Sequence, residues 1–408
     1  MRASWVVGRA CVVLVGLLSA PARAQSGREL NFVPLVGGDS DIGVGGGFVG
    51  DWAGLEPGRP PYRWRLEASA FLSFKLRANA QGRQTVILPY QDYVLALTIP
   101  RIGPGNRVRL DVRPSFTDEI LRYYGIGNAS PPLAANEREA SVEYRRFHPA
   151  FSVEARVHLF DAFYLSAGST TTYNRLTVPA DTRLARDQSM GAPEIRTLIS
   201  STAPHYLEIL ATEASWDTRD DEIVTRHGSF HALRLAVSPH GGATLPYGFE
   251  RITAVARFYR TPVERWLTIS WRVVGDTLIG DPPLYELARF DDTPAIGGLR
   301  AVRGVPAQRY HGKVKAFGNV ELVSELYAFT IKRKQLVLGA AAFFDAGRNW
   351  TELGRSHPEL DGTGIGLKYG VGGGLRLQEG RTFLLRLDIA WSPDASPVGA
   401  YFAAGQIF

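Results

Sequence analysis

The chain has 408 residues, with 20 Phe, 16 Tyr, 8 Trp, 43 Gly, 25 Pro and a single Cys. Its charged fraction, 21%, is not that of an acidic or basic disordered polymer. Mean hydropathy is −0.08, and past the N-terminus no apolar run reaches the roughly 18 residues of a spanning helix, which excludes a transmembrane helix bundle but not a membrane β-barrel, whose alternating strands average out.

In chain order, Arg2 and Arg9 flank a short apolar core at 10–20, and Ala22-Arg23-Ala24 has the small-x-small form of a cleavage site. Residues 1–24 are therefore expected to be a signal peptide, with Gln25 first in the mature chain. The core is too short to serve as a spanning anchor. Cys11 precedes the core instead of following it, which argues against a lipoprotein. The expected mature chain has no cysteine, so an exported protein here must draw its stability from a large closed hydrogen-bonded structure. Removing Arg2, Arg9 and Arg23 lowers the formal charge from +6 to +3, too mild to argue for nucleic acid.

From there the chain reads as strands. In 62–77 the even positions (Trp64, Leu66, Leu72, Phe74, Leu76 among them) are apolar, and the odd ones (Arg63, Arg65, Glu67, Ser69, Ser73, Lys75) are polar except Phe71. Period two over so long a stretch sets one face in an apolar medium and the other in a polar one. The pattern recurs as Val108, Leu110 and Val112 against Arg109, Asp111 and Arg113. It recurs again as Val320 and Leu322 against Asn319 and Glu321, and as Leu385, Leu387 and Ile389 against Arg386 and Asp388. The charges on the second face point to a polar lumen and a lipid-facing exterior. Tyr62, Trp64, Trp266 and Trp391, near strand ends, suit interfacial girdles.

Segments at 41–53, 62–77, 84–99, 106–117, 138–148, 150–160, 163–177, 205–217, 228–238, 249–261, 264–275, 313–328, 335–346, 365–377, 381–392 and 400–408 give about sixteen antiparallel strands. The apolar phase switches at His148-Pro149, which reads as a tight hairpin; a single bulged strand there would give fifteen. Connections at 332–334 and 378–380 read as short periplasmic turns. Those at 178–204, 276–312 and 347–364 read as long extracellular loops. No separate soluble domain is expected within 25–408.

The stretch 297–326 contains Val302-Arg303-Gly304, and Phe343-Phe344-Asp345-Ala346-Gly347 follows downstream. The pair resembles the V-R-G-(F/Y) loop motif and the F-x-D-x-G strand motif of the BamA/TamA superfamily of outer-membrane barrels, the bacterial surface antigen family. Val305 departs from the usual aromatic. Three further segments resemble the family: Asp217-Thr218-Arg219-Asp220 with Arg226-His227-Gly228-Ser229, Tyr124-Gly125-Ile126-Gly127-Asn128, and a last strand ending in Phe. In that last segment Phe402 and Phe408 fit the assembly signal and Gln406 departs from it.

The resemblance implies a long loop folded into the lumen, with Arg303 against Asp345. Gly304 and Gly347 would permit close approach, and Glu321 is a second possible partner for the arginine. It also implies outer-membrane localisation among outer-membrane lipid, insertion by the barrel assembly machinery, and a role in outer-membrane assembly or translocation with cargo and functional partner unspecified. Members that insert or translocate proteins usually carry POTRA domains; this sequence has no room for one and reads as a member without them.

The residues suggest no enzyme and no cofactor. There is no mature Cys, no G-x-S-x-G elbow and no His pair at metal-ligand spacing on a helix. The glycines at 43–47 and 372–374 lie inside strands, not between a strand and a helix. Asp217, Asp220, Asp221 and Glu222 are interrupted by Arg219 and read as a solvated turn before a calcium site. A passive channel remains a second functional reading, and an outer-membrane enzyme a third.

Overall fold

Period-two patterning decides which way each strand faces. On Val314–Ile331, Asn319 and Glu321 are 1% and 6% exposed, whereas Val320 and Leu322 are each 42% exposed. Apolar side chains thus point out and polar ones in, the reverse of a water-soluble barrel. In the computed structural model, which describes residues 27–55, 62–78, 83–103, 105, 107–134, 136–199, 203–221, 224–264, 266–291, 293–331, 334–379, 383–394 and 398–404, sixteen strands close into one antiparallel barrel. They are β1 (Arg28–Asp39), β2 (Gly43–Gly54), β3 (Trp64–Ala78), β4 (Gln84–Ile102), β5 (Val108–Arg122), β6 (Glu143–Phe160), β7 (Phe163–Thr177) and β8 (His205–Asp217). The second half comprises β9 (Gly228–Ser238), β10 (Phe249–Val263), β11 (Leu267–Gly280), β12 (Val314–Ile331), β13 (Lys334–Trp350), β14 (Lys368–Glu379), β15 (Phe383–Trp391) and β16 (Gly399–Ala404). Each strand pairs with its sequence neighbours, and β16 returns to β1. Closure leaves no edge whose N–H and C=O groups would face lipid unpaired.

The count of sixteen agrees with the sequence reading, but two strands differ from it. The hairpin at His148-Pro149 does not exist: β6 runs unbroken through both residues, pairing Thr117 with His148 and Phe116 with Pro149 on the β5 side. On the β7 side the paired residues skip from Phe147 to Ala150 without a shift of register, which accommodates the missing N–H of Pro149. The facing never changes; Tyr144, Arg146 and His148 all point inward and are buried. What changes is the lumen, which becomes apolar near Tyr144, and this imitates a phase switch. The strand left out of the sequence reading is β1, which pairs along its whole length with β2. It lies ahead of the first expected segment, 41–53, and carries Pro34 opposite Phe48 of β2.

Connections after odd-numbered strands leave at the end opposite the chain termini, so 123–142, 178–204, 281–313 and 351–367 gather there. Two short helices, α1 (Arg183–Met190) and α2 (Pro193–Leu198), form within 178–204. The Thr182 hydroxyl caps α1 by accepting from the Ala185 amide. Tyr123, Ile126, Leu184, Ile199, Leu284, Tyr285 and Leu287 from these loops bury themselves with Leu121, Tyr144, Leu207 and Leu278 from the strand ends. This apolar cluster packs across the loop end of the lumen. The segment 1–24 and Phe408 lie outside the described residues.

Candidate functional site

The connection 281–313 turns back into the barrel and brings Val302 and Arg303 to zero exposure. Gly304 has φ +91°, a left-handed conformation that glycine adopts without strain, and an added Cβ would lie 3.0 Å from the Trp391 carbonyl carbon. That turn aims the Arg303 guanidinium at the wall formed by β12 to β15. Nε donates to Asp345 Oδ2 at 2.7 Å and Nη2 to Asp345 Oδ1 at 3.0 Å, the bidentate fork typical of strong arginine–carboxylate pairs. The Arg303 amide donates to the same carboxylate at 3.1 Å. Nη1 donates to Glu321 Oε2 at 2.9 Å and Asp388 Oδ2 at 3.1 Å. The guanidinium carbon lies 3.3 Å from the centre of the Phe343 ring.

Arg376 bridges the same acids, donating to Glu321 Oε1 at 2.8 Å and to Asp388 Oδ1. Arg386 approaches Asp388 to 3.7 Å. Three guanidinium groups therefore face three carboxylates, a balance that buried charges require. Burial opposes the charged form of Arg303, but Asp345, Glu321 and Asp388 outweigh it and hold its pKa above the usual arginine value.

Of the residues singled out from sequence, Arg303, Glu321 and Asp345 come together directly. Gly304 donates its amide to the Tyr401 hydroxyl at 2.8 Å, fixing the loop tip to β16. Gly347 lies beside the cluster, where an added Cβ would meet Phe317 Cβ at 2.6 Å and Ile296 Cδ1 of the loop at 3.3 Å. Phe402 pairs with Leu387 and, across the closure, with Gly38. Sequence reasoning missed Asp388, Arg376, Phe343 and Tyr401 as members of the site. Their inward phase was visible, but the depth at which the loop tip arrives was not. It also passed over Gly370, where an added Cβ would lie 1.7 Å from the Arg303 carbonyl oxygen.

Beyond its tip the loop ties itself to other connections. The Ala307 amide donates to Asp41 Oδ2 at 3.1 Å, and Gln308 Oε1 accepts from the Arg122 amide at 2.9 Å. Arg309 donates to Ser130 Oγ at 2.8 Å, and the Tyr310 hydroxyl to Asp394 Oδ1 at 2.8 Å. The 124–128 segment is the platform for this arm: the Gly127 amide donates to the His311 carbonyl at 2.8 Å, and Asn128 reaches the Gly366 carbonyl at 2.8 Å. Burial, with Lys315 and Arg309 nearby, pushes the His311 pKa down to about 3, so the ring is neutral. In the 217–228 turn the acids are engaged locally, Asp217 by Arg219 at 2.9 Å and Asp220 by the Arg226 amide at 3.0 Å.

The description "Omp85 superfamily domain" matches residues 73–408. Comparison with curated proteins finds no match. Among solved structures, BamA from Haemophilus ducreyi lacking POTRA domains 1-3 is similar at 13% identity and TM-score 0.60, covering 93% of this chain and 70% of that one. CdiB from Escherichia coli is similar at 14% identity and TM-score 0.56, covering 94% of this chain and 64% of that one. The chain thus spans between 64% and 70% of the length of these two structures, and the likeness to them is one of fold. With the match extending over most of the sequence and a closed sixteen-strand wall behind it, the chain belongs to the Omp85 superfamily.

Proposed function

We propose that the protein is an outer-membrane assembly or translocation barrel in which Arg303 latches the lumenal loop and the closure between β1 and β16 is the place that opens. In this reading residues 1–24 direct export, the barrel assembly machinery inserts the chain through its last strand, and outer-membrane lipid surrounds the apolar face. The observation that carries the proposal is where the loop tip is anchored. It is fastened across β12, β13, β15 and β16, on the C-terminal side of the closure. β1, on the other side, pairs along its length with β2 and, among the described residues, holds none of these tip contacts. The latch would keep the C-terminal wall rigid while β1 moves. The converging lumenal acids are engaged with arginines, which supports a mechanical role over a catalytic one.

Photocrosslinking in intact outer membranes tests this. A photoreactive residue at Leu30, exposed on β1, should capture polypeptide, and one at Leu235, exposed on β9, should not. Equal capture at both sites, or lipid adducts alone at Leu30, would remove the closure from the mechanism.

A further inference from the structure

The inserted loop leans on β12 to β16 and leaves the opposite wall of the lumen open. There a cavity of about 640 Å³ runs between β3 and β10, from Tyr62, Arg101, Arg107 and His158 at the end carrying the chain termini to Tyr90 and His148 deeper inside. We infer that this cavity binds a multiply charged oxyanion, a small ligand bearing phosphate or carboxylate groups that enters from the terminus end.

Composition is the first support. Ten arginines line the cavity against six carboxylates; Arg65, Arg146 and Arg251 also face Asp51, Glu119 and Asp276 behind the lining, and lysine is absent from it. Arginine is the cation whose planar fork matches phosphate and carboxylate oxygens two at a time. A low-dielectric wall around such a cleft focuses the field and concentrates anions.

The register is the second. Arg109 on β5 stands directly opposite Arg156 on β6, and like charges on facing positions destabilise a sheet. Arg109 is steadied by Asp111 at 2.7 Å, and Arg156 lies 4.2 Å from the centre of the Tyr164 ring. The next rung, Asp111 opposite Glu154, compensates in part, but the rung beyond it adds Arg113 opposite Ser152. Among the described residues neither Arg107 nor Arg113 has a carboxylate within ion-pair distance, and Arg113 Nε is buried without a hydrogen-bond partner. An oxyanion beside these rungs would satisfy the buried Arg113 donor. The volume suits a small ligand or a lipid headgroup.

The test titrates the folded barrel, in neutral detergent at low salt, with inorganic pyrophosphate by calorimetry. Saturable binding is expected, weakened about tenfold for each arginine removed in Arg107→Gln and Arg113→Gln, the loss of one charge-assisted hydrogen bond per site. Arg355→Gln, on an exposed loop outside the cavity, should bind as the native protein does. Heat-modifiable migration confirms that each variant is folded. In phosphatidylcholine nanodiscs, competition by added phosphatidylglycerol would make the ligand a lipid headgroup, and absence of competition a dissolved anion; either supports the site. Unsaturable binding, unchanged affinity in the Arg107→Gln/Arg113→Gln double variant, or equal weakening in Arg355→Gln would overturn it.

Discussion

A guanidinium with no exposure to solvent has to be matched by charge, and Arg303 is matched by Asp345, Glu321 and Asp388. The two ends of its main pair are not equivalent. Arg303→Ala leaves three carboxylates facing two arginines, whereas Asp345→Ala leaves Arg303 two other acids. Removing one member of a buried pair costs about 3–5 kcal/mol, so Arg303→Ala should fall toward the upper figure and Asp345→Ala toward the lower. The double variant should cost less than the sum, because each change removes the interaction the other depends on. Hydrogen exchange of residues 297–309 measures the opening free energies, and additive losses would show that the pair does not act as a unit. Sequence could indicate Arg303, Asp345 and Glu321 through phase and motif. It could not indicate Asp388, Arg376 or Tyr401, because strand periodicity gives the facing of a residue and says nothing of the height at which a distant loop meets it.

At the scale of elements, β14 makes the loop's seat possible. Its inward positions Gly370, Gly372 and Gly374 leave space for the Arg303 carbonyl, the Phe343 ring and the Asp388 carboxylate respectively. In sequence these glycines were legible as strand residues and not as a phosphate cradle, but a missing side chain does not announce what fills its place. Gly370→Ala should therefore push the loop tip off the wall while the ladder with β13 survives. Gly373→Ala faces outward, with the nearest atom, the Ala341 carbonyl oxygen, 3.2 Å from the new Cβ, and should be tolerated. Proteolysis of folded barrel within 297–309 reads the difference: cleavage in Gly370→Ala and protection in Gly373→Ala, with equal rates sinking the idea. The misread strands carry the same lesson. Alternation located most of the wall, but it broke down where the environment did not follow the simple inside-polar rule. At β6 the inner face turns apolar beneath the loops. β1 lies ahead of the first expected segment, 41–53.

For the whole molecule, the decisive feature is that the lumen is open on one side and occupied at the other. The arm 307–311 reaches Asp41, Arg122, Ser130 and Asp394, which belong to three other connections and a neighbouring strand end around the rim. Beneath the loops Tyr285, Leu287 and Leu184 belong to a packed apolar cluster, a layer that disfavours water. A wide lumen of charged side chains would by itself suit a channel, but ions would have to cross this packed layer. Planar-bilayer recordings of the native barrel should therefore show no steady current. Arg303→Ala removes one anchor and leaves the rim contacts in place, so brief openings are expected without a lasting conductance. Deleting 297–309 removes both the tip and most of the arm, and should give a stable ohmic current. The ordering of the three proteins is the test. A native barrel that already conducts steadily would mean that the loops do not seal the lumen, and would put the passive channel ahead of the assembly or translocation reading.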